Sequence, residues 1–176
     1  HRSDEFRKVY REVVERLKPI FGTSGDIFVL TGSGTSAMEA AVANVLSPGD
    51  KALALVGGKF GERWAELCKA YGAETKVLEY TWGTAVDPMA VKAALDADPG
   101  IKAVFATQNE SSTGVLNDIR AIAQVVSPTQ AVLVVDAVSS LGGVAMKMDE
   151  WKVDVVVTGS QKCLMVPPGL SFIALG

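Results

Sequence analysis

Seven short apolar runs alternate along the chain with segments whose apolar residues recur at helical spacing. The runs occupy residues 27–30, 52–56, 75–80, 101–106, 131–135, 153–158 and 170–175, and each reads as a buried strand. Before the first run, Phe6, Val9, Tyr10, Val13, Val14 and Leu17 repeat at helical spacing. Ser3 is placed to cap that helix, Asp4 and Glu5 fill its first turn, and Pro19 is expected to end it. A second helical pattern runs through Met38, Ala41, Val42, Val45 and Leu46, closed by the turn Pro48-Gly49-Asp50. A third runs through Phe60, Trp64, Leu67, Cys68 and Tyr71 as far as Gly72. Asp87-Pro88 opens a fourth as N-cap and first-turn proline, and Ile119, Ile122 and Val126 mark a fifth.

Strands separated by helices imply a mostly parallel sheet covered on both faces. The predicted fold is therefore α/β, a three-layer sandwich around a seven-stranded sheet, with residues 1–176 forming one domain. The last two runs are too close for a helical crossover, so one strand is expected to be antiparallel. In such sheets ligands gather at the carboxyl ends of the parallel strands, where loops and helix N-termini converge.

Composition narrows the function classes. Hydrophobic residues make up 48% and charged residues 21%, an ordinary globular balance, and a net charge of -3 with a pI near 5.2 provides no field for nucleic acid or an anionic membrane. Two cysteines, Cys68 and Cys163, are too few for a disulfide framework and have no spaced partners for a metal. His1 is the only histidine, which argues against serine–histidine and histidine–metal chemistry. No run reaches the roughly 18 apolar residues of a membrane span, and no signal-peptide pattern opens the chain, so the expected setting is reducing and cytoplasmic. A start without methionine and a stop just after the seventh run read as a fragment or an excised domain.

Three features then carry chemistry. Gly32-Ser33-Gly34-Thr35 lies between a strand and a helix, where free N–H groups and the helix dipole suit a phosphate. With Ser36 and Ala37 it also fits the dinucleotide fingerprint, so an NAD-binding domain is the alternative reading. That reading lacks its acidic residue, because the next strand runs into Gly57-Gly58. Asp136 ends the fifth run, where it either caps a turn or needs a cation. Lys162, in Ser160-Gln161-Lys162 after the sixth run, is either the partner of Asp136 in an ion pair or a desolvated, imine-forming amine. An anion cradle, a buried acid and a reactive lysine without metal ligands are together what pyridoxal phosphate uses.

Four strings resemble the class V aminotransferases, most closely the serine- or alanine-glyoxylate (serine-pyruvate) branch. They are Gly32-Ser33-Gly34-Thr35 with Glu39-Ala40, Asn109-Glu110-Ser111-Ser112-Thr113-Gly114, Val135-Asp136-Ala137-Val138 with Ser139-Ser140-Leu141-Gly142-Gly143, and Ser160-Gln161-Lys162. The resemblance covers nearly the whole chain, in order. It implies a fold type I enzyme using pyridoxal 5'-phosphate, with this chain as its large domain. Lys162 would then form the Schiff base and shuttle the substrate α-proton, and Asp136 would hold the pyridine nitrogen protonated. Ser33, Gly34, Thr35 and Gln161 would hold the phosphate, with Ser160 beside them in the lysine turn. Ser111 would reach the phenolic oxygen, and Phe60 and Val138 would pack the two ring faces, although helical periodicity makes Phe60 equally a core residue.

Related desulfurases have histidine before the lysine, whereas this chain has Gln161, which favours transamination. The substrates implied are a small amino acid and a 2-oxo acid. The family pattern also implies a homodimer, an N-terminal segment, and a C-terminal small domain bearing the substrate-carboxylate arginine. Without them the 176 residues are expected to bind cofactor weakly or be inert.

Overall fold

The computed structural model describes residues 2–176; His1 lies outside the described residues. The chain opens with α1 (Asp4–Phe21), followed by β1 (Ile27–Thr31), α2 (Gly34–Val45), β2 (Lys51–Val56), α3 (Lys59–Ala70), β3 (Glu74–Glu79), α4 (Pro88–Ala97) and β4 (Ile101–Thr107). A small hairpin of β5 (Asn109–Glu110) and β6 (Val115–Leu116) leads to α5 (Ile119–Val126), β7 (Val132–Asp136), α6 (Met148–Trp151), β8 (Val155–Gly159) and β9 (Leu170–Leu175).

The seven predicted strands form one sheet in the order β1-β9-β8-β7-β4-β2-β3. β9 is antiparallel to both its neighbours, β1 and β8, and the remaining pairings are parallel. The residues alternate between two cores, as a period of two requires. In β2, Leu53 and Leu55 join the core under α1, α4, α5 and α6, while Ala52, Ala54 and Val56 join the one under α2 and α3. This is the three-layer sandwich that the sequence pattern predicts.

Helix caps follow the local chemistry. Asp87 accepts from the Met89 N–H at 2.9 Å with Pro88 in the first turn, and Ser3 caps α1 by accepting from Phe6. One expectation for α1 needs correction. The helix runs through Pro19 to Phe21 before left-handed Gly22 closes it, because a proline in the last turn removes one hydrogen bond while Phe21 behind it is fully buried. Its apolar stripe is largely uncovered: Phe6, Val9, Tyr10 and Val13 are exposed, while Leu17 and Phe21 are buried in the core and Val14 packs against it half-buried. Among the described residues no helix is long and apolar enough to cross a membrane.

The parallel strands β1, β2, β4, β7 and β8 all end at one edge of the sheet. The loops beginning at Gly32, Gly57, Gln108, Ala137 and Ser160 meet there.

Candidate active site

At the start of α2, Ser33 is the N-cap. Its hydroxyl accepts from the Ser36 N–H at 3.4 Å, and the Ser36 hydroxyl accepts from the Ser33 N–H at 3.3 Å. The next two N–H groups, of Gly34 and Thr35, have no acceptor among the described residues. A Cβ at Gly34 would lie 2.6 Å from Val138 Cγ2, so only glycine lets the helix start rest against that residue.

Asp136, the last residue of β7, is 3% exposed. Its Oδ1 accepts from the Val138 N–H at 2.8 Å, so it does cap the turn that follows. No cation lies within 4.0 Å of it among the described residues. Burial pushes its carboxyl up to about 6; the Val138 N–H pulls the other way, nearby Glu110 raises it and Arg63 lowers it. Thr107, its register partner on β4, has a buried hydroxyl with no hydrogen-bond partner. Both residues point to the α2–α3 side of the sheet, by the alternation of Phe105 and Val134 before them.

Lys162 sits in the turn after β8 and is exposed. It makes no ion pair with Asp136, so that structural reading does not hold, and the desolvation expected of the lysine is not present in this chain. Lys162 and Asp136 nevertheless line the same open cavity of about 120 Å³, together with Ser33, Gly34 and Thr35 from α2. Phe60, Ser111, Val138 and Gln161 complete the predicted set around it. Phe60 is half-buried and belongs to neither core, so helical periodicity misassigns it.

Ser160 is the exception. It is fully buried, does not line the cavity, and its hydroxyl donates to the Pro167 carbonyl at 2.7 Å, holding the turn that carries Lys162.

Sequence reasoning missed Arg63, Met38 and Ser139, which also line the cavity. Arg63 is three residues after Phe60, a spacing that places both on one face of α3 and could have flagged it. It missed Glu110 as well, a buried carboxyl that receives the Phe60 and Gly61 N–H groups, each at 3.0 Å. Ser112 adds its hydroxyl as acceptor for the Lys59 N–H at 3.0 Å. The β5–β6 loop thus supplies the N-terminal cap that α3 lacks, since Gly58 has no side chain to give.

Residues 1–175 match the family model of the class-V aminotransferases. The chain belongs to that family. An uncharacterized aminotransferase of Methanocaldococcus jannaschii is 46% identical over 99% of this chain and 46% of its own length. The serine–glyoxylate aminotransferase of Methylorubrum extorquens is 41% identical over 99% of this chain and 45% of its own. Among solved structures, the subgroup IV aspartate aminotransferase of Thermus thermophilus superposes with a TM-score of 0.94 at 36% identity, covering 100% of this chain and 50% of that one. The chain therefore spans about half the length of the relatives it matches.

The cofactor of the family is pyridoxal 5'-phosphate, rather than the dinucleotide of the alternative reading. The residues present fit it: two unpartnered N–H groups at a helix start, a buried acid without a cation, and a free lysine share one cavity.

Proposed function

We propose that this chain is the large, cofactor-binding domain of a pyridoxal-phosphate-dependent aminotransferase. Its substrates would be a small amino acid, serine or alanine, and a 2-oxo acid, glyoxylate or pyruvate. The observation that carries the reading is the convergence of Lys162, buried Asp136 and the open start of α2 on one cavity.

When bound, pyridoxal phosphate supplies an electron-withdrawing ring that makes a substrate α-proton acidic. The Gly34 and Thr35 N–H groups, with Ser33 and Gln161, would hold the phosphate at the positive end of α2. Asp136 would keep the ring nitrogen protonated, gaining the cation that a buried carboxylate needs. Phe60 and Val138 would confine the ring, and Ser111 would hydrogen-bond its phenolic oxygen. The Lys162 amine would hold the aldehyde carbon and, once freed by the substrate amine, move the proton at the substrate α-carbon. Ser160 would act at one remove, by fixing the Lys162 turn through Pro167.

Two supports bear on the rest of the assembly. The cavity is open and its lysine exposed, which fits a site completed by further protein, as in a homodimer. The donor is less constrained, since one relative is named for serine and another for aspartate. We assign the small donor from the serine–glyoxylate relative and the motifs shared with that branch.

The test uses the full-length protein. Added pyridoxal phosphate should give an absorbance band that borohydride fixes covalently at Lys162, and a band that persists in Lys162→Ala would overturn the anchor. Serine, alanine and aspartate assayed side by side against glyoxylate and pyruvate then decide the donor; a preference for aspartate would overturn the small-donor assignment.

A further inference from the structure

We infer that Arg63 is a positioning residue of the phosphate cradle, holding the Thr35 hydroxyl as a donor toward the anion and adding positive charge to the start of α2. This rests on the cofactor reading above.

Arg63 has acids on its own helix that it could pair with, yet it does not. Glu62 is taken by Lys59 at 2.8 Å, and among the described residues no carboxylate comes within 4.0 Å of the guanidinium. Instead its Cζ lies 5.0 Å from the centre of the Phe60 ring, and its Nη1 donates to Thr35 Oγ1 at 3.1 Å. A half-buried arginine thus crosses from α3 to the first turn of α2, lining the same cavity as Asp136 and Lys162.

The direction of that hydrogen bond matters. Because Thr35 accepts from Arg63, its own O–H hydrogen is left to point elsewhere. The unpartnered Gly34 and Thr35 N–H groups mark where an acceptor would sit. The guanidinium has five N–H donors and spends one on Thr35, so the others remain for the same anion. Stacking on Phe60 limits the swing of the fork and ties the ring-confining residue to the anion site. The positive field also reaches Asp136, where it favours the ionised acid.

The experiment compares pyridoxal phosphate with pyridoxal, which has the same aldehyde and ring but no phosphate. Affinities are read from the absorbance band in full-length wild type, Arg63→Lys and Arg63→Gln. Stabilisation of each cofactor-free protein by inorganic phosphate is read from its melting temperature. In Arg63→Gln, pyridoxal phosphate should bind at least about ten-fold more weakly, the size expected for a lost charge-assisted hydrogen bond, while pyridoxal binding falls far less. Phosphate should stabilise Arg63→Gln less than wild type. Arg63→Lys should recover part of the loss, because it restores charge without the planar fork.

Equal weakening of both ligands, or an unchanged ratio between them in both variants, would overturn the inference in favour of a packing role. Failure of wild type to form the band with either ligand would instead sink the cofactor reading itself.

Discussion

The Glu110 carboxyl and the Phe60 backbone are joined across two loops: the acid accepts the Phe60 N–H at 3.0 Å and approaches so closely that Gly58 must be glycine. A Cβ there would meet Glu110 Cγ at 2.4 Å and Ser112 Oγ at 2.6 Å. Glu110→Ala strands buried N–H groups of Phe60 and Gly61 and should cost about 2–4 kcal/mol in urea unfolding. Gly58→Ala should cost about 1–3 kcal/mol by overpacking. The pair should be non-additive, because removing Glu110 removes its part of the clash and frees Ser112, which it holds by a hydrogen bond, to move aside. Simple additivity would show that Gly58 is not shaped by Glu110.

Asp136 predicts a pH dependence. Its folded carboxyl titrates at about 6 against an ordinary 3.8, so between those values the folded chain keeps a proton that the unfolded chain has released. Stability without cofactor should therefore fall as pH rises from about 4 to about 6, by up to about 3 kcal/mol from this group. Asp136→Asn should lack that component, and the difference between the two pH–stability curves isolates it. A difference that is flat across the window would refute the assignment.

Gly34 and Val138 form a second tight contact. Gly34→Ala should push Val138 or shift α2, costing about 1–3 kcal/mol and weakening pyridoxal phosphate binding. Val138→Ala in the same molecule should restore part of the stability, with a coupling of roughly 0.5–3 kcal/mol. Absence of coupling would mean that the helix start relaxes without touching Val138.

The two cysteines should differ in reactivity. Cys68 is fully buried and burial pushes its thiol up to about 12, whereas Cys163 is half-exposed beside Lys162. A thiol reagent at mildly alkaline pH should modify one cysteine in the native protein and both after denaturation. Rapid native labelling in Cys163→Ser would contradict the burial of Cys68.

What could be read from the chain alone follows from where the signal is local. Apolar runs of β2, β4, β7 and β8 are buried on both faces, so they stand out without knowledge of their neighbours, and Asp136 and Lys162 stand out as polar residues at their ends. Asp87-Pro88 and Ser33 announce helices by capping chemistry that involves only adjacent residues. Of Arg63 only the helical spacing from Phe60 was legible in that way, not its contact with Thr35, and Glu110 was not legible. Each acts across a gap of dozens of residues, on Thr35 and on the start of α3 respectively, and no periodicity encodes a contact of that kind. The α1 stripe shows another limit: an amphipathic pattern reports that a face is fit for burial, not what covers it.

The place of β9 has a consequence for the order in which the molecule is made. β1, which delivers the chain to the Ser33–Thr35 turn, pairs with no strand except β9, and Ile27 faces Ala174 across nearly the full length of the chain. During synthesis β1 must wait for β9, and until residues 170–175 emerge the Ser33–Thr35 turn has no strand beside it to hold it against Val138. The strand that closes β1 is thus made long after it, and the Ser33–Thr35 turn is set in place only once that one antiparallel segment has arrived.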